Sequence, residues 1–275
     1  MIECHNKTLL LDLCGRNPVK YRHIAHSLHS PSPRWDEAMS SGAPRPAPTY
    51  FVDDPENISL IAQVIADKVL LAGETKSAIA EGLGDWCRRI SPTGVATTEA
   101  AIRVLLSDTL EINEWGEHAS YTADPNTFQD KSSYPVERLC IEKKPAWLRF
   151  LDRRKADGSM EAENVVRSLA RDFDFVTVGL PVDCYAVLQE GEITGAATVN
   201  AFTRDCDEIS ALYVEPQHRR KGVASSLLAA ASKETFARGK LPAYFAGGNP
   251  PSLQRLLAGL GFSQNSYFWE WRFWW

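Results

Sequence analysis

Hydrophobic and polar positions divide this chain into three regimes. Residues 1–50 hold no sustained period. Pro31, Pro33, Pro44, Pro46 and Pro48 are interleaved with Ser, Gly and Ala, the composition of a loop or extended arm. From Asn57 to about Trp115 apolar residues recur at helical spacing. Ile58, Ile61, Ile65 and Val69 form one stripe, and Ile79, Leu83, Trp86 and Ile90 a second. Ala100, Ile102, Leu105, Leu106 and Ile112 form a third. The pattern predicts a mainly helical region over 51–135, closing in the polar, proline-containing loop 116–135.

Beyond residue 135 the periods mix. Val136–Glu142 reads as a strand, Ala146–Arg154 and Glu161–Arg171 as helices, and Phe173–Val178 as a short extended segment. Cys184–Leu188 and Ile193–Val199 read as a hairpin across Gln189-Glu190-Gly191-Glu192. Glu208–Val214, rich in β-branched, aromatic and aliphatic residues, reads as a strand that Glu215-Pro216 stops, because proline cannot donate to a continuing ladder. From Val223 the positions Val223, Leu227, Leu228 and Ala231 mark a helix that ends at Gly239. Ala243–Ala246 is extended, Ser252–Leu260 helical and Tyr267–Phe273 an aromatic strand. Residues 136–275 therefore predict one layered, mixed α/β domain.

Charge and composition narrow the function. The net charge is −5 with no long basic run, which argues against nucleic-acid binding. No apolar run approaches the roughly 20 residues that span a bilayer, and the N-terminus lacks a basic leader. The six cysteines are scattered without a CxxC pair, as expected of reduced thiols in a cytoplasmic protein. His23, His26 and His29 share a face only if helical; no acidic or cysteine ligand accompanies them, so no metal site is expected.

Candidate chemistry concentrates between Glu208 and Gly239. A strand feeding a glycine-containing turn at a helix N-terminus presents free amides and a positive dipole end to an anion. Arg219, Arg220 and Lys221 precede Gly222 in that turn. The stretch predicts a phosphate or pyrophosphate cradle.

Arg219-Arg220-Lys221-Gly222-Val223-Ala224, within LYVEPQHRRKGVASSLL and followed by GLGF at Gly259–Phe262, resembles the acyl-CoA motif of the GNAT superfamily of N-acetyltransferases. The order of elements over 136–275 is similar to that family's. The resemblance implies a GNAT-like central mixed sheet with flanking helices, preceded by the helical region or by a degenerate GNAT-like half over 51–135. It further implies acetyl-CoA as co-substrate. Pantetheine would pair with the backbone of Leu212, Tyr213 and Val214, and pyrophosphate would lie over the amides of Arg219, Arg220, Lys221, Gly222, Val223 and Ala224. The resemblance implies Asn249 as a further cofactor contact.

Acetyl transfer to an amine needs a neutral nucleophile, whereas a lysine-like ammonium titrates near 10.4. A general base is therefore useful. Glu208 stands where several family members carry a catalytic glutamate, with Asp207 and Asp205 as neighbours that compete for the role. The family's thiolate-protonating tyrosine is missing: the helix before the Gly-Phe pair has Leu256 and Leu257, leaving solvent, Tyr244 or Tyr267. Cys184 and Cys206 have no His–Asp partner pattern and read as small buried hydrophobes. The expected function is direct transfer of an acetyl group to a primary amine of a small molecule or peptide, without nucleic-acid or membrane partners. The aromatic end (Phe268, Trp269, Trp271, Phe273, Trp274, Trp275) is open to three uses: lining a pocket, covering the sheet or forming a homodimer contact. An acyl-CoA sensor without catalysis, or an interaction module built on residues 51–135, are the competing classes.

Overall fold

The computed structural model describes residues 1–17, 21, 24–25, 28, 48–65, 68–74, 77–90, 92, 94–97, 99–109, 114–155, 169, 173, 182–200, 203–247 and 249–272. The N-terminal elements are β1 (Ile2–Glu3), α1 (Lys7–Arg16), β2 (Thr49–Val52), β3 (Leu60–Ile65), β4 (Lys68–Gly73), α2 (Ser77–Ile90), β5 (Gly94–Thr97), α3 (Ala100–Thr109) and β6 (Glu114–Ala123). Then follow β7 (Glu137–Arg138), α4 (Lys144–Lys155), β8 (Val182–Gln189), β9 (Glu192–Asn200) and β10 (Cys206–Val214). The chain closes with α5 (Val223–Ala237), β11 (Leu241–Gly247), α6 (Pro251–Gly259) and β12 (Phe262–Arg272). Two compact units result. Unit 1 comprises Met1–Ser120, Ala246–Asn249 and Gln264–Trp275, and unit 2 comprises Tyr121–Phe245 and Pro250–Ser263. The division thus falls at residue 120, not 135, and the C-terminal strand groups with the N-terminal residues.

In unit 1 the first helical stripe, Ile58 to Val69, is instead the antiparallel hairpin β3–β4, paired from Leu60↔Gly73 to Ile65↔Lys68. The reason is burial on both faces. Leu60, Ala62, Val69 and Leu71 pack with Leu83, Trp86, Cys87, Ile102 and Leu106. Ile61 and Ala72 point the other way, into a cluster with Leu10, Leu13 and Cys14. A strand covered on both sides is apolar at nearly every position, so it satisfies a helical spacing without being a helix. The second and third stripes do form α2 and α3. Residues 1–17, expected as arm, form β1 and α1, whose side chains Leu10, Leu13 and Cys14 are buried. The proline-rich stretch 31–47 and His23, His26 and His29 lie outside the described residues.

Unit 2 is a sheet in the order β7-β8-β9-β10-β11. The predicted hairpin is β8–β9, β10 adds antiparallel to β9, and β11 adds parallel to β10 through α5. Val223, Leu227, Leu228 and Ala231 are all buried, and Gly239 ends α5 in the left-handed region at φ 72°. Its N–H bonds to Phe236 O at 2.8 Å, and that of Lys240 to Thr235 O at 3.1 Å, capping carbonyls the helix would otherwise leave open. Only Glu137–Arg138 of the strand expected over 136–142 is extended; Ile141–Lys143 is a 3-10 turn. The helix expected over Glu161–Arg171 lies almost wholly outside the described residues, as does 174–178. Phe173 is helical rather than extended, and it stacks on Trp147 with ring centroids 5.1 Å apart.

The expected loop 116–135 proves to be two ordered pieces. Its first part belongs to β6, and residues 124–134 form a strap laid along α5. Among the described residues no helix is long and apolar enough to cross a membrane.

Candidate active site

Unit 2 builds its site around an interruption in β10. Register with β9 runs Glu208↔Asn200, Ile209↔Val199 and Ser210↔Thr198, then resumes at Tyr213↔Ala196. Ala211 and Leu212 thus oppose one residue, a β-bulge, and Ala211 takes φ 36°. The bulge resets alternation: Glu208, Ser210 and Tyr213 share one face although the first and last are five positions apart. Tyr213 meets Phe150 of α4 edge-on at 6.2 Å, so this face looks toward α4. The opposite face, with Asp207 and Val214, looks toward α5.

On the other edge of β10, pairing with β11 covers only Cys206↔Leu241 to Ile209↔Tyr244, although β11 continues to Gly247. The two parallel strands separate where the bulge begins. That opening at Leu212–Val214 is what an extended amide-bearing ligand needs in order to add its own hydrogen bonds to a sheet edge. One acceptor there is already taken: Val214 O receives Arg219 Nε at 3.0 Å.

Past Pro216 the chain makes a 3-10 turn over Pro216–His218 and reaches the cradle. The amide of Arg219 folds back onto Pro216 O at 3.3 Å, so this member of the expected amide set is engaged within the turn. Among the described residues the amides of Arg220, Lys221, Gly222, Val223 and Ala224 meet no backbone acceptor. Arg220 at φ 58° and Gly222 at φ 91° are left-handed, which turns successive N–H groups toward one concavity, a form suited to anions. A Cβ at position 222 would displace the Ser133 hydroxyl, and the left-handed backbone there favours glycine. Gly195 serves the same end from β9: a Cβ there would reach Val223 Cγ1 at 2.8 Å, and its absence lets α5 begin close against the sheet. Arg220 and Lys221 are exposed.

Glu208 is half-buried, with its Oε2 shielded from solvent. Its rival Asp207 is fully buried on the opposite face, held by Lys240 Nζ at 2.7 Å and Arg238 Nε at 3.0 Å. Asp183 extends the network, accepting from Arg238 at 2.9 Å and pairing with Arg138. Asp207 therefore fastens the end of α5 to the sheet. Asp205 is exposed in the turn before β10. Tyr244 is buried, and burial, then the charge of Glu208, push its phenol above the ordinary value, so it keeps its proton. The side chain of Tyr267 lies outside the described residues. Asn249, left-handed at φ 35° ahead of α6, groups with unit 1 and not with the cradle residues. Cys184 and Cys206 are buried free thiols.

Sequence reasoning missed the supports. Arg153 of α4 spans Glu215 Oε1 at 2.9 Å, Glu192 Oε2 at 2.6 Å and Ile193 O at 2.9 Å, clamping the exit of β10. Ser226 Oγ, fully buried, gives its hydrogen to Gly222 O at 3.0 Å and accepts from the amides of Ser133 and Tyr134. No local pattern links residues 62 or 93 positions apart.

Residues 154–262 match the acetyltransferase (GNAT) family. A search of curated proteins finds no match. Among solved structures the chain is similar to a Drosophila protein (TM-score 0.62, 15% identity, covering 98% of this chain and 97% of that one). It is similar also to a GNAT-family acetyltransferase from Colwellia psychrerythraea (TM-score 0.59, 14% identity, 98% of each chain). A third is a tandem GNAT protein from the clavulanic acid biosynthesis pathway (TM-score 0.54, 12% identity, covering 98% and 97%). At such identities these likenesses concern the fold.

Proposed function

We propose that this chain, which belongs to the GNAT acetyltransferase superfamily, transfers an acetyl group from acetyl-CoA directly to a primary amine. The observation that carries the reading is the bulge at Ala211–Leu212, placed where β10 leaves β11 and immediately ahead of the Arg220–Ala224 amides. The open edge at Leu212–Val214 suits the pantetheine arm and the amides of Arg220, Lys221, Gly222, Val223 and Ala224 the diphosphate. The bound donor supplies an acyl thioester, whose thiol is acidic enough to leave without a dedicated acid, since a free thiol titrates near 8.5. Glu208 takes the proton that an ammonium acceptor must lose, from the face it shares with Ser210 and Tyr213. Tyr244 is buried and its phenol is pushed above the ordinary value by burial and the charge of Glu208, and solvent is the proposed source of the thiolate's proton.

The topology supports reading unit 1 as a second, degenerate copy. β2-β3-β4-α2-β5 repeats the connectivity of β8-β9-β10-α5-β11, with a parallel pair reached through a helix in each. The acceptor, a small molecule or a peptide, is the remaining variable. Acetyl-CoA and a panel of amines, with free thiol as readout, test the activity. CoA-induced thermal stabilisation without turnover on any amine supports the sensor instead, and no stabilisation by CoA removes both.

A further inference from the structure

Residues 124–134 run along α5 from its C-terminal end to its N-terminus, and every step is fastened. Phe128 meets Phe236 edge-on at 5.4 Å. Gln129 N–H donates to Leu260 O at 3.0 Å, and Lys233 Nζ donates to Asp130 Oδ2 at 2.8 Å. At the far end the amides of Ser133 and Tyr134 donate to Ser226 Oγ at 2.9 and 3.1 Å. The attachment points on α5 descend from Phe236 through Lys233 to Ser226 as the strap advances from Phe128 to Tyr134. A strap so held delivers its last residues to the first turn of the helix.

What it delivers is a hydroxyl. The Ser133 side chain lies against Gly222, within the volume a Cβ there would fill. Its backbone is fixed by Ser226, while its hydroxyl donates to no described protein group and the residue is exposed. The hydroxyl thus stands against Gly222 within the turn, carried by an element outside the acetyltransferase match, which begins at residue 154.

We propose that Ser133 is a binding residue for the diphosphate of acyl-CoA, its O–H donating to an oxygen that the amides at Gly222 and Val223 also face. The assignment rests on the acyltransferase reading above. A hydrogen bond to a charged oxygen is stronger than one between neutral groups, so its loss is measurable. The test is isothermal titration of CoA into the full chain and its variants, beside the melting temperature without ligand. Ser133→Ala is expected to weaken CoA about tenfold and to leave the ligand-free melting temperature unchanged, because the hydroxyl makes no bond within the protein. Ser133→Thr, which keeps a hydroxyl, is expected to restore most of the affinity. Wild-type affinity in Ser133→Ala overturns the assignment while leaving the acyltransferase reading intact. Equal weakening in Ala and Thr variants, or a lower melting temperature in both, overturns it in favour of a packing role. If CoA fails to bind the wild-type chain, the acyltransferase reading falls and takes this assignment with it.

Discussion

Arg153 Nε lies 2.9 Å from Glu215 Oε1, and this contact joins α4 to the residue that links β10 to the cradle. Glu215 is nearly closed to solvent (4% side-chain exposure), while Arg153 keeps 35%. The same guanidinium reaches Glu192 and Ile193 O, using the fork that arginine alone provides.

Removing Arg153 therefore leaves the buried Glu215 carboxylate without its cation, with Gln217 Nε2 still donating to Oε2 at 2.7 Å. Breaking a fully buried pair costs about 3–5 kcal/mol; with the arginine a third exposed we expect about 2 kcal/mol for Arg153→Met, read as a shift in the urea midpoint. Arg153→Lys is expected to recover less than half of it, since an ammonium on one flexible stem has no planar fork to span Glu215, Glu192 and Ile193 O. A lysine variant as stable as wild type contradicts the clamp.

Glu208→Gln keeps the shape and removes the basicity. Turnover of an amine is expected to fall about 100-fold or more, the usual worth of a general base. Stabilisation by CoA is expected to be unchanged, because Glu208 sits upstream of the bulge and away from the cradle amides. Residual activity within threefold of wild type assigns the base elsewhere.

Gly222→Ala meets two obstacles together. Its φ of 91° costs a residue with a Cβ about 1–3 kcal/mol, and the new methyl meets Ser133 Oγ. We expect a lower melting temperature and at least tenfold weaker CoA binding. Retained CoA affinity excludes this turn as the diphosphate site.

The strap has a pH signature. The hydrogen bond from Lys233, followed by those from Ser132, lowers the Asp130 carboxyl from the ordinary carboxylate range to about 2. A depressed folded value means its stabilisation is complete above the unfolded value, near pH 4, and fades as pH falls toward 2. Asp130 is 44% exposed, so the contribution is below about 1 kcal/mol. Asp130→Asn is expected to be slightly less stable than wild type at neutral pH, with the gap closing through that window and shrinking in high salt. A gap that widens on acidification refutes the sign.

Unit 1 repeats the connectivity without the interruption. Its β3–β4 register is unbroken and β5 is paired with β4 along its whole length, from Lys68↔Gly94 to Leu71↔Thr97. Without a bulge in the β3–β4 pairing, the backbone of β4 is not turned as that of β10 is at Ala211–Leu212. Titration is expected to saturate at one CoA per chain. Two equivalents bound refute the degenerate reading.

Near-neighbour physics made much of unit 2 legible. The turn into α5, its buried stripe and its glycine end depend on residues within a few positions of one another, as does the β8–β9 hairpin. The turn around Gly222 follows from the same local pattern, whereas Glu208 and the cofactor roles of the amides follow only from the family resemblance. The bulge was not legible, because no residue type compels it, and without it alternation would put Glu208 and Tyr213 on opposite faces. Nor was the hairpin β3–β4, whose strands are apolar at nearly every position and carry no period of two to read.

Sequence by itself thus determined the glycine turn and the helix behind it, since both are fixed by local backbone geometry, whereas Glu208 stands out only through the family resemblance. Tertiary structure alone decided which partners those residues meet. Asp207 became a fastening because Arg238 and Lys240, more than 30 positions away, close on it. Trp269–Arg272 pairs with Gly94–Thr97 across some 175 positions. Contacts at such separations are chosen by burial and charge in the folded chain, and they leave no period in the sequence.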